Sequence, residues 1–124
     1  YIKSNGNWIE YYKNGKIKES SFFNKKKISG LYEYYYKNGY PKIKGNYIDG
    51  KKDGEWNYYS ENDSGRFIKT ENYHLGLLDG IFLHYFENGV IKVRGQYKNN
   101  VRVNDWFWYF DINQKSSYRK HYSN

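Results

Sequence analysis

Apolar and polar residues alternate along this chain in short runs, and the runs recur. Segments starting at Gly6, Gly30, Gly54, Gly80 and Asn104 read GNWIEYYKNG, GLYEYYYKNG, GEWNYYSENDSG, GIFLHYFENG and NDWFWYFDIN. Successive starts lie 24, 24, 26 and 24 residues apart, and the longer spacing comes from two extra residues between Glu61 and Gly65. A second ring follows each start by about 17 residues: Phe23, Tyr47, Tyr73 and Tyr97, with His121 in that place in the fifth unit. Alternation with period two marks a strand with unlike faces. Recurrence at a fixed period of this length marks an array of supersecondary units.

Each unit reads as a β-hairpin. Asn14-Gly15, Asn38-Gly39 and Asn88-Gly89 sit between two alternating runs, which predicts type I′ turns with positive φ at both central residues. A second tight connection, Ile48 to Gly54, leads from one hairpin into the next. Gly50, Gly76 and Asn100 recur at one place in it, as expected of left-handed turn residues. Pro41 falls at the start of a second strand, where a missing N–H is tolerated. No helical period of useful length is present. The expected fold is all-β: about five tandem hairpins forming an elongated, curved, single-layer antiparallel sheet. One domain spans residues 1–124, with units starting near 6, 30, 54, 80 and 104. Residues 1–5 read as the tail of a further unit. The chain begins at Tyr1 and contains no Met, so a processed or trimmed product with a longer array is expected.

Alternation sorts the side chains by face. One face of the first strands carries Trp8, Glu10 and Tyr12; Tyr32, Tyr34 and Tyr36; Trp56 and Tyr58; Phe82, His84 and Phe86; Trp106, Trp108 and Phe110. The other carries Tyr11, Tyr35, Tyr59, Tyr85 and Tyr109. In the second strands Ile17, Phe23, Ile43, Tyr47, Phe67, Tyr73, Ile91, Val93 and Tyr97 fall on one face, and Lys18, Lys42, Lys44, Lys92, Arg94 and Lys98 on its reverse. This predicts aromatic ladders on one side and a cationic back. Trp56, in the central unit, is expected to matter more for stability than Trp106 near an end.

Composition agrees. Tyr 17, Phe 7 and Trp 4 dominate, whereas Ala, Met and Cys are absent. These are residues that fit a pleated surface and not those that favour helices, and their abundance argues against disorder. No run approaches the ~20 apolar residues of a membrane-spanning helix. Without Cys there are no disulfides and no thiolate sites. The net charge of +8 either attracts an anionic partner or reflects a Lys-rich solvated surface.

The recurring Gly-x-Trp-x-x-Tyr-Tyr-x-Asn-Gly, with Tyr-x-x-Gly-Lys-x-x-Gly (Tyr47 to Gly54) leading into the next unit, resembles the MORN repeat. It is most similar to the bacterial variant found in YwqK-family antitoxins. The resemblance covers residues 6–122. It implies tandem hairpins in an extended, half-pipe-like sheet, and a binding or scaffolding role toward membrane lipid or protein. The third unit departs by its insertion, and the fifth by Asn104 and Asn113 where glycines belong.

Catalytic chemistry finds little support. His74, His84 and His121 lie in different units and at different positions, without the spacing of a metal set. No nucleophile elbow or phosphate loop is present. Asp53 and Asp79 each precede a Gly and read as turn residues. Ser60 to Gly65 followed by Glu71 has the spacing of a calcium loop, but Ser stands where Asp is needed and no helices flank it; it reads as a lengthened turn. No catalytic residue, metal site or cofactor is expected.

Comparison among the units is more informative. The first ring and the central Tyr row keep their character, whereas the fifth position varies while staying large: Glu10, Tyr34, Tyr58, His84 and Trp108. Tyr34, Tyr58, His84 and Trp108 form either a partner-binding aromatic stripe or internal packing. Lys25, Lys26, Lys27, Lys51 and Lys52 form a basic edge, and Leu75, Leu77 and Leu78 an apolar loop among the basic ones. That loop either meets a partner or tucks under the sheet. The leading expectation is a non-enzymatic module that binds a protein partner, antitoxin-, immunity-like or scaffolding. Anionic membrane lipid on the basic edge is the alternative. A glycan is disfavoured because choline- and glucan-binding repeats have a period nearer ~20, and nucleic acid because no binding signature accompanies the charge.

Overall fold

The computed structural model describes residues 4–62 and 66–123. Twelve strands form one antiparallel sheet: β1 Gly6–Tyr11, β2 Ile17–Asn24, β3 Lys27–Ile28, β4 Gly30–Tyr35, β5 Pro41–Ile48, β6 Lys51–Tyr59, β7 Phe67–His74, β8 Leu77–Leu78, β9 Gly80–Tyr85, β10 Ile91–Lys98, β11 Val101–Tyr109 and β12 Ser117–Tyr122. Each long strand pairs with its neighbour in sequence, while β3 and β8 are short pieces paired with β2 and β7. No helix occurs among the described residues. The all-β hairpin array expected from the period is therefore the fold. The lengthened third turn is closed by the Ser60 N–H donating to the Arg66 carbonyl at 2.9 Å. Residues 63–65 of that turn, and residues 1–3 of the expected preceding unit, lie outside the described residues.

The two kinds of turn exchange roles relative to expectation. Gly15, Gly39 and Gly89 take positive φ of 87°, 93° and 87°, but the Asn before each does not. The Gly15 N–H donates to the Tyr12 carbonyl and the Tyr12 N–H to that of Lys16. This is a three-residue loop, a tight turn followed by one left-handed residue. The Asn serves through its side chain: Asn14 Oδ1 accepts from the Lys16 N–H, and its amide donates to the Lys37 carbonyl of the next turn. Asn38 repeats this toward Tyr40 and Glu61. The turns with two positive φ values are the connections between hairpins: Lys25-Lys26, Asp49-Gly50, Leu75-Gly76 and Asn99-Asn100. Asp53 and Asp79 are not turn formers. Asp53 Oδ1 accepts from the Leu75 N–H of the following connection, and Asp79 pairs with Lys98 at 3.3 Å.

Strict alternation also fails once in each of the first four hairpins. The register shifts between Glu10 and Tyr11, Tyr34 and Tyr35, Tyr58 and Tyr59, and Ile91 and Val93. An extra residue there changes the phase of everything beyond it. Ile17, Phe67 and Ile91 consequently pair with Tyr11, Tyr59 and Tyr85, and Phe67 packs on Tyr59 and Tyr85 with centroids 5.1 and 6.1 Å apart. Lys18, Lys42 and Lys92 cross to the tryptophan face, over the rings of Tyr12, of Tyr34 and Tyr36, and of Phe86. The expected cationic back is thus only partial. Lys44, paired with Glu33 at 3.4 Å, and Arg94, 4.0 Å over Phe107, remain on it.

The core is a ring-on-backbone contact repeated along the tryptophan face. Trp56 and Trp106 are each 1% exposed. Their rings lie directly on Gly45 and Gly95, where a Cβ would sit 2.1 and 2.0 Å from the indole. Each indole N–H donates to the carbonyl of the residue after that glycine, Asn46 or Gln96, at 3.1 Å. Edge-on tyrosines close the sides: Tyr47 and Tyr73 for Trp56, Tyr97 and Tyr122 for Trp106. Tyr32 and Phe82 stack on the respective indoles, and Lys52 and Arg102 cap them, each 4.7 Å from the centroid. Such aromatic pairs contribute ~0.5–1.5 kcal/mol each beyond area burial. Tyr122, not His121, completes the ladder, because the last hairpin closes Phe110 on Ser116 over a longer loop than those closed by Tyr12, Tyr36 and Phe86 and lacks their register shift. His121 instead lies 2.7 Å from Asp105.

With β12 closing its outer side, Trp106 is as enclosed as Trp56. Trp56→Ala and Trp106→Ala should therefore each cost roughly 3–5 kcal/mol in urea melts, against the expectation of a smaller loss at Trp106. Gly45→Ala should destabilise by ~1–3 kcal/mol or more. The double variant Gly45→Ala/Trp56→Ala should be less destabilised than the sum, since the added methyl occupies space the indole left. Strict additivity would refute the ring-on-glycine contact.

Candidate functional site

The register brings one residue from each of ten strands into a single transverse row. Its members are Glu10, Glu19, Tyr34, Ile43, Tyr58, Lys69, His84, Val93, Trp108 and Tyr118, each directly opposite the next. At ~4.8 Å between strands the row is roughly 43 Å long. Tyr34, Tyr58, His84 and Trp108, the four variable-position candidates, all lie in it, one per hairpin. Sequence comparison missed Ile43, Lys69 and Val93 between them. These do recur at the unit period, but their facing depends on the register shifts.

The four candidate side chains are half-buried, neither sealed in a core nor fully open. Tyr34 lies under the Lys42 ammonium, 5.6 Å from its centroid. Tyr58 lies under Lys69 at 4.5 Å. Burial, followed by the neighbouring Glu71 carboxylate, pushes the Tyr58 hydroxyl well above the usual phenol range. Glu71 also accepts from the Tyr73 hydroxyl at 3.1 Å and pairs with Lys69 at 3.7 Å. The residue that completed the apparent calcium spacing is therefore engaged in mid-strand. Burial first, and then Lys92 and Lys69, hold the His84 imidazole below its ordinary 6.5. Trp108 stacks between Trp106 and Tyr118, with centroids 5.8 and 5.7 Å away.

The connections between hairpins line one edge. The Gly50 N–H donates to the Ile28 carbonyl, that of Gly76 to Lys52, and that of Asn100 to Leu78, so each connection is tied to its neighbour. Lys25, Lys26, Lys27 and Lys51 are exposed there, whereas Lys52 is withdrawn onto Trp56 and Tyr73. Leu75 and Leu77 are 45% and 41% exposed and Leu78 is half-buried. The apolar tip does not tuck under the sheet, and Val101 extends it at 62% exposure. Among the described residues no three His, Asp or Glu side chains cluster as metal ligands would.

Two hairpins with this geometry, at residues 4–25 and 78–99, match the family model of the MORN repeat variant. These two segments are MORN repeats of the variant type. No curated protein matches the chain. In the array the matched segments are the first and fourth units. The second and third share their register shift and ring positions, and the fifth keeps the rings without the shift.

Lys25, Lys26 and Leu75 hold φ of 51°, 69° and 46°, a region that costs a side-chain-bearing residue roughly 1–2 kcal/mol. Lys25→Asn with Lys26→Gly, and separately Leu75→Asn, should each raise stability by about 1 kcal/mol in denaturant melts. Unchanged or lowered midpoints would contradict the turn assignment. His84 gives a second measurable. Its folded-state value is depressed, so its contribution is complete above 6.5 and is lost as pH falls, because the unfolded chain takes the proton first. His84→Gln should flatten the decline in stability between about pH 7 and pH 5; an unaltered slope would contradict the burial of the neutral imidazole.

Proposed function

We propose that this array is a non-enzymatic binding module that holds a protein partner along the transverse row from Tyr34 to Trp108. The observation that carries this is the row itself. Rings or imidazole stand at every second strand, half-buried, with aliphatic Ile43 and Val93 between them and ring-stacked lysines alongside. Tyr and Trp offer large contact area at small entropic cost and dominate binding energy at interfaces. The tryptophans that hold the fold lie beside the row, so a partner can engage it without unfolding the sheet. An antitoxin- or immunity-like role, in which the partner is held inactive on this face, accords with the bacterial variant that the sequence most resembles.

The test compares the protein with its Tyr34→Ala/His84→Ala variant as bait in extract of the source cell. The expected result is a protein retained by the first and lost by the second while the variant stays folded in a melting scan, since aromatic anchors carry ~1–2 kcal/mol or more each at an interface. Equal retention by both would remove the row from consideration. A second reading rests on the exposed Leu75, Leu77 and Val101 beside Lys25, Lys26, Lys27 and Lys51. An apolar tip among cations suits the surface of an anionic membrane, each Lys adding ~1 kcal/mol near it. Salt-labile retention on phosphatidylserine vesicles, lost on Leu75→Asp/Leu77→Asp, would favour that reading.

A further inference from the structure

The partner's chemistry is legible in the spacing of the row, and the inference rests on the binding reading above. Equivalent residues of successive hairpins are two strands apart, or ~9.6 Å across the sheet. Three residues of a polyproline II helix advance ~9.3 Å and return to the same side of the chain. A β-strand presents one face every ~6.8 Å and falls out of step at once. Across the sheet the charges recur at the same interval, Lys69 within the row and Lys42 and Lys92 one residue along their strands from it. Lys42, Lys69 and Lys92 come from three consecutive hairpins, each stacked over a ring of its own hairpin. Lys42 and Lys92 are exposed, and no ion pair engages either among the described residues. Lys69 is partly neutralised by Glu71. His84 stands directly opposite Lys69. Toward β1 the row turns acidic at Glu10 and Glu19, and Lys18 is paired with Glu10 at 3.6 Å. Beyond the middle hairpins Arg102 adds a further cation over Trp108, 5.7 Å from its centroid.

We infer that the partner presents an extended, proline-rich segment in polyproline II conformation, with an acidic side chain at every third residue, laid across the strands over Tyr34, Tyr58, His84 and Trp108. Rings on the row take the proline faces, as aromatic-lined grooves do for such helices. The lysines take the carboxylates. A preformed helix loses little entropy on docking to a rigid sheet.

The test measures binding of three probes to the intact chain at moderate salt. They are a peptide of Glu-Pro-Pro repeats long enough to span the row, a peptide of the same composition with its glutamates consecutive, and a single-stranded oligonucleotide. The periodic peptide should bind roughly tenfold tighter than the blocked one, about 1.4 kcal/mol. Lys42→Glu/Lys92→Glu, and the milder Lys42→Gln/Lys92→Gln, should abolish that preference without moving the melting temperature. Equal binding of the two peptides, binding of neither, or tighter binding of the oligonucleotide overturns the inference. Capture of a cellular protein that depends on Tyr34 and His84, measured separately, distinguishes failure of this chemistry from failure of the binding reading.

Discussion

A sheet one layer thick has no second layer to bury its face against. In this protein the face is sealed by aromatic rings laid flat on the sheet's own backbone. Trp56 on Gly45 and Trp106 on Gly95 are the tightest instances, and both indoles leave water almost completely. The contact demands a residue without a side chain under the ring, a carbonyl in reach of the indole N–H, and flanking rings to close the edges. All three come from neighbouring hairpins, so the stability of each unit depends on the next.

The proposed binding face follows from how this contact is spaced. The tryptophans occupy one transverse line and leave the adjacent line, Tyr34 to Trp108, half-buried and free of the strictest packing demand. That line keeps large residues while their identity changes from hairpin to hairpin. The register shifts in the first, second and fourth hairpins then deliver Lys18, Lys42 and Lys92 to the same face, where the rings' negative faces hold the ammonium groups in place. Aromatic area and positive charge are thus combined at a fixed interval on a rigid surface.

The far edge is built on a different compromise. Its connections require two consecutive left-handed residues, which Asp49-Gly50 and Asn99-Asn100 satisfy with residues suited to them. Lys25-Lys26 and Leu75 do not suit, and all three project outward. Strain retained at exposed cationic and apolar tips marks positions where side-chain chemistry outweighs turn preference.

The sequence by itself determined the class of fold, the number of hairpins, most of the ring positions that hold it and the variable position that lies in the transverse row. All of these are properties of the repeat period and of which residues recur at it. It also identified Gly50, Gly76 and Asn100 as left-handed. Only the tertiary structure decided which face each lysine occupies, because one extra residue in each of the first four hairpins inverts the alternation and leaves no mark in composition or spacing. It also decided that Lys25-Lys26 shares the turn type of Asp49-Gly50, since the inter-hairpin ladder imposes that geometry whatever residues fill it. Tyr122, and not His121, completes the last ladder for a similar reason: a longer terminal loop and the absence of the register shift together move the pairing by one. Position along the chain is written in the sequence, whereas facing is set by pairing with a neighbour.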